Sequence, residues 1–164
     1  MYRTALIGVV VFIFCLCHMS SFGQSKSSSN ANREIIVKYF DEVVNTQKLN
    51  RLSEFFSLDY IWHQMNGKDI HSGQDSSHIA MLRYVYQAIP DIRYSIENTV
   101  SEGDMIAVNT TVSGTAKSEM FGLPAAQKKI HFRQMFFFRL SNNKIIEEWE
   151  VVDLDGIKTQ LANQ

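Results

Sequence analysis

Apolar positions along the chain change their spacing once, near Pro90. Before this proline, apolar residues recur every three or four positions, which is typical of amphipathic helices. The predicted helices cover residues 34–45, 49–56 and 79–89. A β-forming stretch, Tyr60 to Gln64, lies between the second and third helices, ends at the turn Asn66-Gly67 and is followed by a polar loop to Ser77.

After Pro90 the chain consists of β-rich runs separated by short turns. The four predicted strands cover residues 94–100, 105–115, 129–140 and 145–154. Because short turns join only antiparallel neighbours, these strands predict a meander whose one face is covered by the preceding helices. The sequence therefore predicts an α+β fold, a cone-shaped α+β barrel with N-terminal helices packed on a curved, mainly antiparallel sheet.

The first residues have the pattern of a secretory signal peptide. Arg3 precedes an apolar run over residues 5–17, shorter than the ~18 to 20 residues of a transmembrane helix. We expect cleavage after Gly23, a flexible leader over 24–32 and a single domain over 33–162. The mature protein would then be secreted or periplasmic, with no stable membrane anchor. A retained anchor, or a lipid on Cys15 or Cys17, is the alternative.

Composition excludes several classes of site. The formal net charge of −1 provides no basic surface for a phosphate backbone, so we expect no nucleic-acid partner. Both cysteines lie in the predicted signal peptide, and the histidines lack the spacing of metal ligands. The sequence also has no phosphate loop and no G-x-S-x-G elbow, so we expect no metal and no cofactor.

Five short motifs occur in a recognisable order along the chain. They are Asp59 to His63, Ile89 to Arg93, Glu102-Gly103-Asp104, Met120 to Pro124 and Ile145 to Gly156. With the helix-then-strand order, they resemble the SnoaL-like polyketide cyclases, also called ester cyclases, of the nuclear transport factor 2-like superfamily. The resemblance spans residues 33–161.

The resemblance implies a cone whose open end binds a small, mostly apolar molecule. In the cyclases of this family the reaction is an intramolecular aldol closure without metal. The implied acid/base is the aspartate near the end of the last strand, here Asp153, and the implied polar partner is His63. Because this superfold hosts unrelated activities, the residues of the site need an argument of their own.

Strand periodicity groups Asp153 with Val151 and Trp149 on one face of the last strand. We expect this face to line the cavity, where Asp153 would act as a general base. The alternative is structural: Asp153 is a favoured N-cap for a helix beginning near Leu154.

Further candidates follow from the same reasoning. His63 shares a face with Ile61, and its imidazole would hydrogen-bond a substrate carbonyl or enolate unless it is a structural histidine. Predicted ligand-binding residues are Trp149, Met135, Phe137, Ile61 and Tyr39. The run 135–138 is also typical of a central strand buried on both faces, which would make these residues core.

Two classes of function remain open. One is an enzyme that uses Asp153 and His63 for enolate chemistry such as aldol cyclisation, isomerisation or dehydration. The other is a non-catalytic module that holds a small apolar molecule. A homodimer through the outer sheet face is also expected, because Ile146, Val152 and parts of 130–138 leave apolar surface there.

Overall fold

The computed structural model describes residues 20–72, 78–120, 122, 124 and 127–162, with side chains from residue 29 onward. The predicted signal peptide lies outside the described residues except for 20–23. Within the described ranges, no helix combines the length and apolar character that crossing a membrane requires.

The helices pack as one layer against the sheet. They are α1 (Ser20–Tyr39), which continues through a π turn (Phe40–Val44), a 3-10 helix (Leu49–Glu54), α2 (His78–Ala88) and α3 (Leu154–Ala162). Ile36, Phe40 and Val43 follow the helical spacing of the sequence and are buried. Helix α1 begins at Ser20 and so includes the stretch 24–32 that we expected to be a flexible leader.

Six strands form one sheet. They are β1 (Phe56–His63), β2 (Asp69–His71), β3 (Arg93–Glu102), β4 (Met105–Ala116), β5 (Lys128–Ser141) and β6 (Lys144–Val152), in the order β2-β1-β6-β5-β4-β3. All neighbours are antiparallel except β1 and β6, which are parallel. The predicted α+β class with a curved, mainly antiparallel sheet is confirmed, although the sheet is not closed.

The short strand β2 lies where the sequence predicts a loop. It pairs with β1 through a hairpin in which Gly67 has a φ of 81°, a left-handed conformation that favours glycine. The Gly67 amide donates to the Gln64 carbonyl at 2.9 Å. Only three residues, Asp69 to His71, form this strand, which is too short for a periodic signal.

The helices cover one face of the sheet only. On β5 the inward side chains Phe136 and Phe138 pack on Phe40, with ring centroids 5.4 and 6.3 Å away. The expectation that the run 135–138 is buried on both faces is wrong, because Met135 is 49% exposed and Phe137 45%. No element among the described residues packs over the outer face, which leaves these two side chains in solvent.

The corner after α2 fixes that helix against β4. The Asp91 carboxylate accepts hydrogen bonds from the Thr115 amide at 2.7 Å and the Thr115 hydroxyl at 2.8 Å. These bonds hold the pKa of Asp91 below its ordinary value. Gly114 lies directly against Ile89 and the backbone of Ile92. The close approach leaves no room for a side chain on this residue of β4.

We predict that Gly114→Ala destabilises the fold by about 1–3 kcal/mol, the usual cost of an overpacked core. The new methyl group would contact Ile89 inside van der Waals distance and lie 3.1 Å from the Ile92 Cα. Urea unfolding measures the change. Ser113→Ala, the exposed neighbour on the same strand, is the matched control, and equal stability of the two variants would contradict the packing argument.

Candidate functional site

The helices and the inner sheet face border an open cavity of about 510 Å³. This volume lies within the range of small-molecule sites. Most of its wall is aliphatic or aromatic. The polar or ionisable side chains among the described wall residues are Tyr39, Trp62, Gln64, Asn66, His78, Tyr94, Gln134 and Glu150. A largely apolar cavity with several polar groups suits a small, mostly apolar molecule that carries oxygen.

Glu150 brings a carboxyl group to this cavity. It lies on β6, and the Gln134 side chain on β5 donates a hydrogen bond to its Oε2 at 2.7 Å. Burial, with the nearby Glu148 carboxyl, raises the pKa of Glu150 to about 7. A carboxyl with this pKa exchanges its proton near neutral pH, which is the property of a general acid/base.

Trp62 contributes a hydrogen-bond donor to the same cavity. Its side chain is on the inner face of β1 and the residue is only 4% exposed. The indole Nε1 is buried and has no hydrogen-bond partner among the described residues. Because buried polar groups in folded proteins are nearly always paired, this N–H is available for a ligand oxygen.

A buried polar cluster lies beside the cavity, and two of its residues, Tyr39 and His78, line it. The Tyr60 hydroxyl donates to Glu148 Oε2 at 2.5 Å, and Glu148 is 0% exposed. His78 Nδ1 lies 3.5 Å from the same oxygen, and His78 Nε2 is hydrogen-bonded to the Tyr39 hydroxyl at 2.9 Å. We call Tyr39, Tyr60, His78 and Glu148 the polar wall.

Burial sets the charge of the polar wall. It raises the pKa of Glu148 to about 8 and lowers the pKa of His78 to about 4. It also raises the pKa of both tyrosine hydroxyls above the ordinary value. At neutral pH the carboxyl is therefore mainly protonated and the imidazole is uncharged, so the wall holds no net charge that needs an external counterion.

The structure places Asp153 outside this cavity. The residue is exposed, and its Oδ1 accepts a hydrogen bond from the Gly156 amide at 2.8 Å. Since Asp153 immediately precedes α3, this is the N-cap geometry that the sequence offered as the alternative. A catalytic role for Asp153 stays a prediction, without support from the described cavity.

His63 lies on the outer face of the sheet. Its ring stacks on Trp149 with centroids 4.4 Å apart and an interplanar angle of 13°, and its Nδ1 lies 2.7 Å from Asp69 Oδ1. Its Nε2 has no hydrogen-bond partner among the described residues. The imidazole is therefore held by outer-face neighbours, and its predicted role as a substrate donor also stays a prediction.

Of the predicted ligand-binding residues, Tyr39 alone lines the main cavity. The others lie beside or near the His63 stack: Ile61 and Trp149 on β1 and β6, Met135 and Phe137 on β5. The expected orientation of β6 is thus wrong for Trp149, since Glu148 and Glu150 point inward, whereas Val151 does line the main cavity as expected. Each carboxyl has a polar partner inside, Tyr60 or Gln134, whereas Trp149 stacks outside.

Sequence reasoning missed the residues that bring chemistry to the cavity. From the sequence, one expects Glu148, Glu150 and His78 on the exposed face of a strand or helix, because charged residues are seldom buried. One signal was available: Tyr60 and Trp62 alternate on β1, and two inward aromatic groups with polar atoms need buried partners. Among the described residues, no group of three or more His, Cys, Asp or Glu is arranged to hold a metal ion.

Solved structures share this architecture. A SnoaL-like polyketide cyclase from Agrobacterium tumefaciens is 26% identical, with a TM-score of 0.68 over 80% of this chain and 98% of that one. AclR from Streptomyces galilaeus is 16% identical, with a TM-score of 0.73 over 81% and 96% of the two chains. At 16% identity, the likeness to AclR shows a common fold.

The sequence comparison with family models assigns the chain. A search of curated proteins finds no match. The model of the SnoaL-like polyketide cyclases matches residues 34–161, which is most of the chain and includes the cavity. The resemblance expected from the five motifs is therefore confirmed: this chain belongs to the SnoaL-like polyketide cyclase family.

Proposed function

We propose that this protein binds a small, mostly apolar carbonyl compound in the main cavity and moves a proton at the carbon next to the carbonyl. The observation that carries the proposal is the half-buried Glu150 on the wall of a largely apolar cavity, where desolvation raises the pKa of its carboxyl to about 7, a value that suits proton transfer. Aldol cyclisation, double-bond isomerisation and dehydration all begin with this step, and none of them requires a cofactor.

The first step breaks a C–H bond. The Glu150 carboxylate takes the proton, and the electron pair moves toward the carbonyl oxygen to form an enolate. Gln134 holds the carboxyl through its 2.7 Å hydrogen bond and so limits its orientations. The protonated Glu150 then returns the proton to carbon or oxygen, which restores the enzyme.

The enolate oxygen needs a donor. Trp62 Nε1 is buried, unpartnered among the described residues and on the cavity wall, so an oxygen placed there gains a hydrogen bond. A preorganised donor stabilises negative charge more in a water-poor cavity than in water. Trp62 therefore takes the role that the sequence had assigned to His63.

We predict that Glu150→Gln lowers catalysed proton exchange by about 10² to 10⁴, the usual contribution of a positioned acid/base. The probe is 2-tetralone, a small apolar ketone, and the measurement is exchange of its α-hydrogens in D₂O by NMR. The Gln134 side chain needs an acceptor for its hydrogen bond, and the amide oxygen introduced by the substitution supplies one, so the variant keeps its fold.

Asp153→Asn is the matched control, and we expect exchange at the unmodified rate. A loss with Asp153→Asn but not with Glu150→Gln would return the catalytic role to Asp153. For the unmodified protein, the rate should rise with pH through about 7, because the carboxylate form of Glu150 is the active one. Binding of 2-tetralone without exchange would identify a non-catalytic binding module instead.

The buried carboxyl of Glu148 gives a second pH dependence, in stability. Its folded pKa of about 8 is above the ordinary 4.5, so the folded state binds the proton more tightly than the unfolded state. The stabilisation is therefore complete below pH 4.5 and is lost as pH rises through about 8. The lowered pKa of His78 acts in the opposite direction, with stability gained as pH rises through about 4.

We predict that Glu148→Gln flattens the stability profile, removing a decrease on the order of 3 kcal/mol between about pH 5 and pH 8. The amide keeps an acceptor for the Tyr60 hydroxyl but does not titrate. Urea unfolding at a series of pH values measures the free energy of unfolding of the variant and of the unmodified protein. Because both proteins contain His78, its contribution cancels in the difference between them. Glu147→Gln, next to it on β6, is the control, and parallel profiles for the Glu148 variant and the unmodified protein would contradict the burial argument.

The outer face of the sheet supports a proposed homodimer. Met135, Phe137 and Val151 form adjacent exposed apolar positions there, since Met135 pairs with Val151 and Phe137 with Trp149 across β5 and β6. Val152, which we expected on this surface, lines the main cavity. The apolar patch of β5 and β6 is suited to self-association through a two-fold axis.

We predict that Phe137→Glu shifts the protein to the monomer, because a carboxylate at the centre of the patch would be desolvated against a second copy. Sedimentation velocity at micromolar concentration measures the distribution. Leu58→Glu, an exposed apolar residue outside the patch, should leave the dimer unchanged. A monomeric unmodified protein would contradict the proposal.

A further inference from the structure

A second cavity, of about 760 Å³, lies on the other side of the polar wall. It opens between the 3-10 helix, the beginning of β1, Ser72 and the first turns of α2. Nothing in the proposed reaction uses this cavity. Its volume is within the range of small-molecule sites, so it can hold a ligand of its own.

Helix α2 separates the two cavities. Met81, Leu82 and Val85 on one helix face line the main cavity, whereas Ile79, Ala80 and Arg83 on the other line the second. These two groups follow the 3.6-residue period of the helix. His78 lies at the boundary and lines both cavities. The helix thus presents two different walls, and a substitution on one face alters one cavity.

The second cavity has an apolar lining. Leu52, Phe56 and Ile79 form part of its wall, and Leu58 is 89% exposed at its edge. Leaving a leucine in water forgoes the free energy of apolar burial, about 25 cal/mol for each Å². A hydrocarbon chain lying along this wall would recover part of it.

Two of the described residues that line the second cavity, Arg83 and Lys144, carry a permanent charge, and both are positive. No Asp or Glu is among the described lining residues. Arg83 is exposed and has no hydrogen bond or ion pair with another described residue. Lys144 Nζ donates to the Ser53 and Glu54 carbonyl oxygens at 2.9 and 2.6 Å, which leaves one of its three N–H groups free of these bonds.

The Glu54 carboxylate offsets part of the Lys144 charge, since Arg51 and, after it, Lys144 lower the pKa of Glu54. The Glu54 carboxylate accepts two hydrogen bonds from Arg51, at 2.9 and 2.7 Å, and is not part of the lining. Glu148 lies behind Tyr60 and is mainly protonated at neutral pH, because burial raises its pKa to about 8. The described wall therefore combines hydrocarbon surface with two cations: Arg83, which has no ion pair with a described residue, and Lys144, whose charge Glu54 offsets in part.

We propose that the second cavity binds an aliphatic monocarboxylate, with its chain along Leu52, Phe56 and Leu58 and its carboxylate at Arg83 and Lys144. The charge complementarity selects an anion, and the apolar wall selects a chain rather than a small inorganic ion. This site is independent of the proton transfer at Glu150.

Calorimetric titration of the purified protein with octanoate and decanoate tests the proposal. Decanoate has two more methylene groups than octanoate. We expect it to bind more tightly than octanoate by about fourfold for each of them, the fold-change of burying one CH₂. 1-Decanol, which has the same chain without charge, should bind more weakly, and added salt should weaken decanoate binding only. Equal affinities of decanoate and 1-decanol, or no binding of either, would overturn the proposal.

Two pairs of variants locate the site. Arg83→Gln should weaken decanoate binding about three- to tenfold, and Arg83→Lys should keep most of it. Ala80→Phe should fill the second cavity and abolish binding, whereas Met81→Trp, the next residue but on the other helix face, should leave it unchanged. Ser57→Phe replaces Ala80→Phe if that variant fails to fold. Loss of binding with Met81→Trp alone would place decanoate in the main cavity and overturn the proposal.

The 2-tetralone exchange assay separates this proposal from the proposed function. Ala80→Phe should keep the exchange rate of the unmodified protein while it loses decanoate binding. Glu150→Gln should lose most of the exchange rate while it keeps decanoate binding. If decanoate does not bind, the 2-tetralone exchange rate still tests the proposed function. If exchange is not catalysed, decanoate binding still tests the second cavity.

Discussion

The interior of this protein depends on burying the Glu148 carboxyl. A carboxylate at 0% exposure would lose its hydration, and no cation among the described residues is paired with it closely enough to replace that loss. The carboxyl reduces this cost by staying protonated and by accepting a hydrogen bond from the Tyr60 hydroxyl at 2.5 Å on Oε2, while its Oε1 has no partner among the described residues. Because Tyr60 is on β1 and Glu148 on β6, the same bond links the two parallel strands of the sheet.

The inward orientation of Glu148 also determines where Glu150, two residues further along β6, lies. Since side chains alternate along a strand, Glu150 follows Glu148 to the inner side and reaches the cavity. There it shares a hydrogen bond with Gln134 and has a pKa near neutrality. A buried, neutral Glu148 also lets His78 remain uncharged beside it, so α2 can separate two cavities without burying a net charge.

The elements were predictable from sequence because their signals are local. The helical spacing before Pro90, the four β runs and the turn at Asn66-Gly67 all lie within short windows, and so does the N-cap at Asp153. The orientation of β6 was not predictable in this way. Both of its faces carry an acidic residue and an apolar one, and a register shift near Leu140 breaks the alternation. The choice between faces depends on Tyr60, which is distant in sequence.

The same alternation separates the two faces of β5. On β5, Gln134 and Phe136 point into the cone, whereas Met135 and Phe137 point into solvent. Val151 on β6 is different, since it is 46% exposed in the outer patch and also lines the main cavity. A second copy bound to the outer patch would therefore reach the cavity wall at Val151, whereas the backbone of β5 separates Gln134 and Phe136 from that patch.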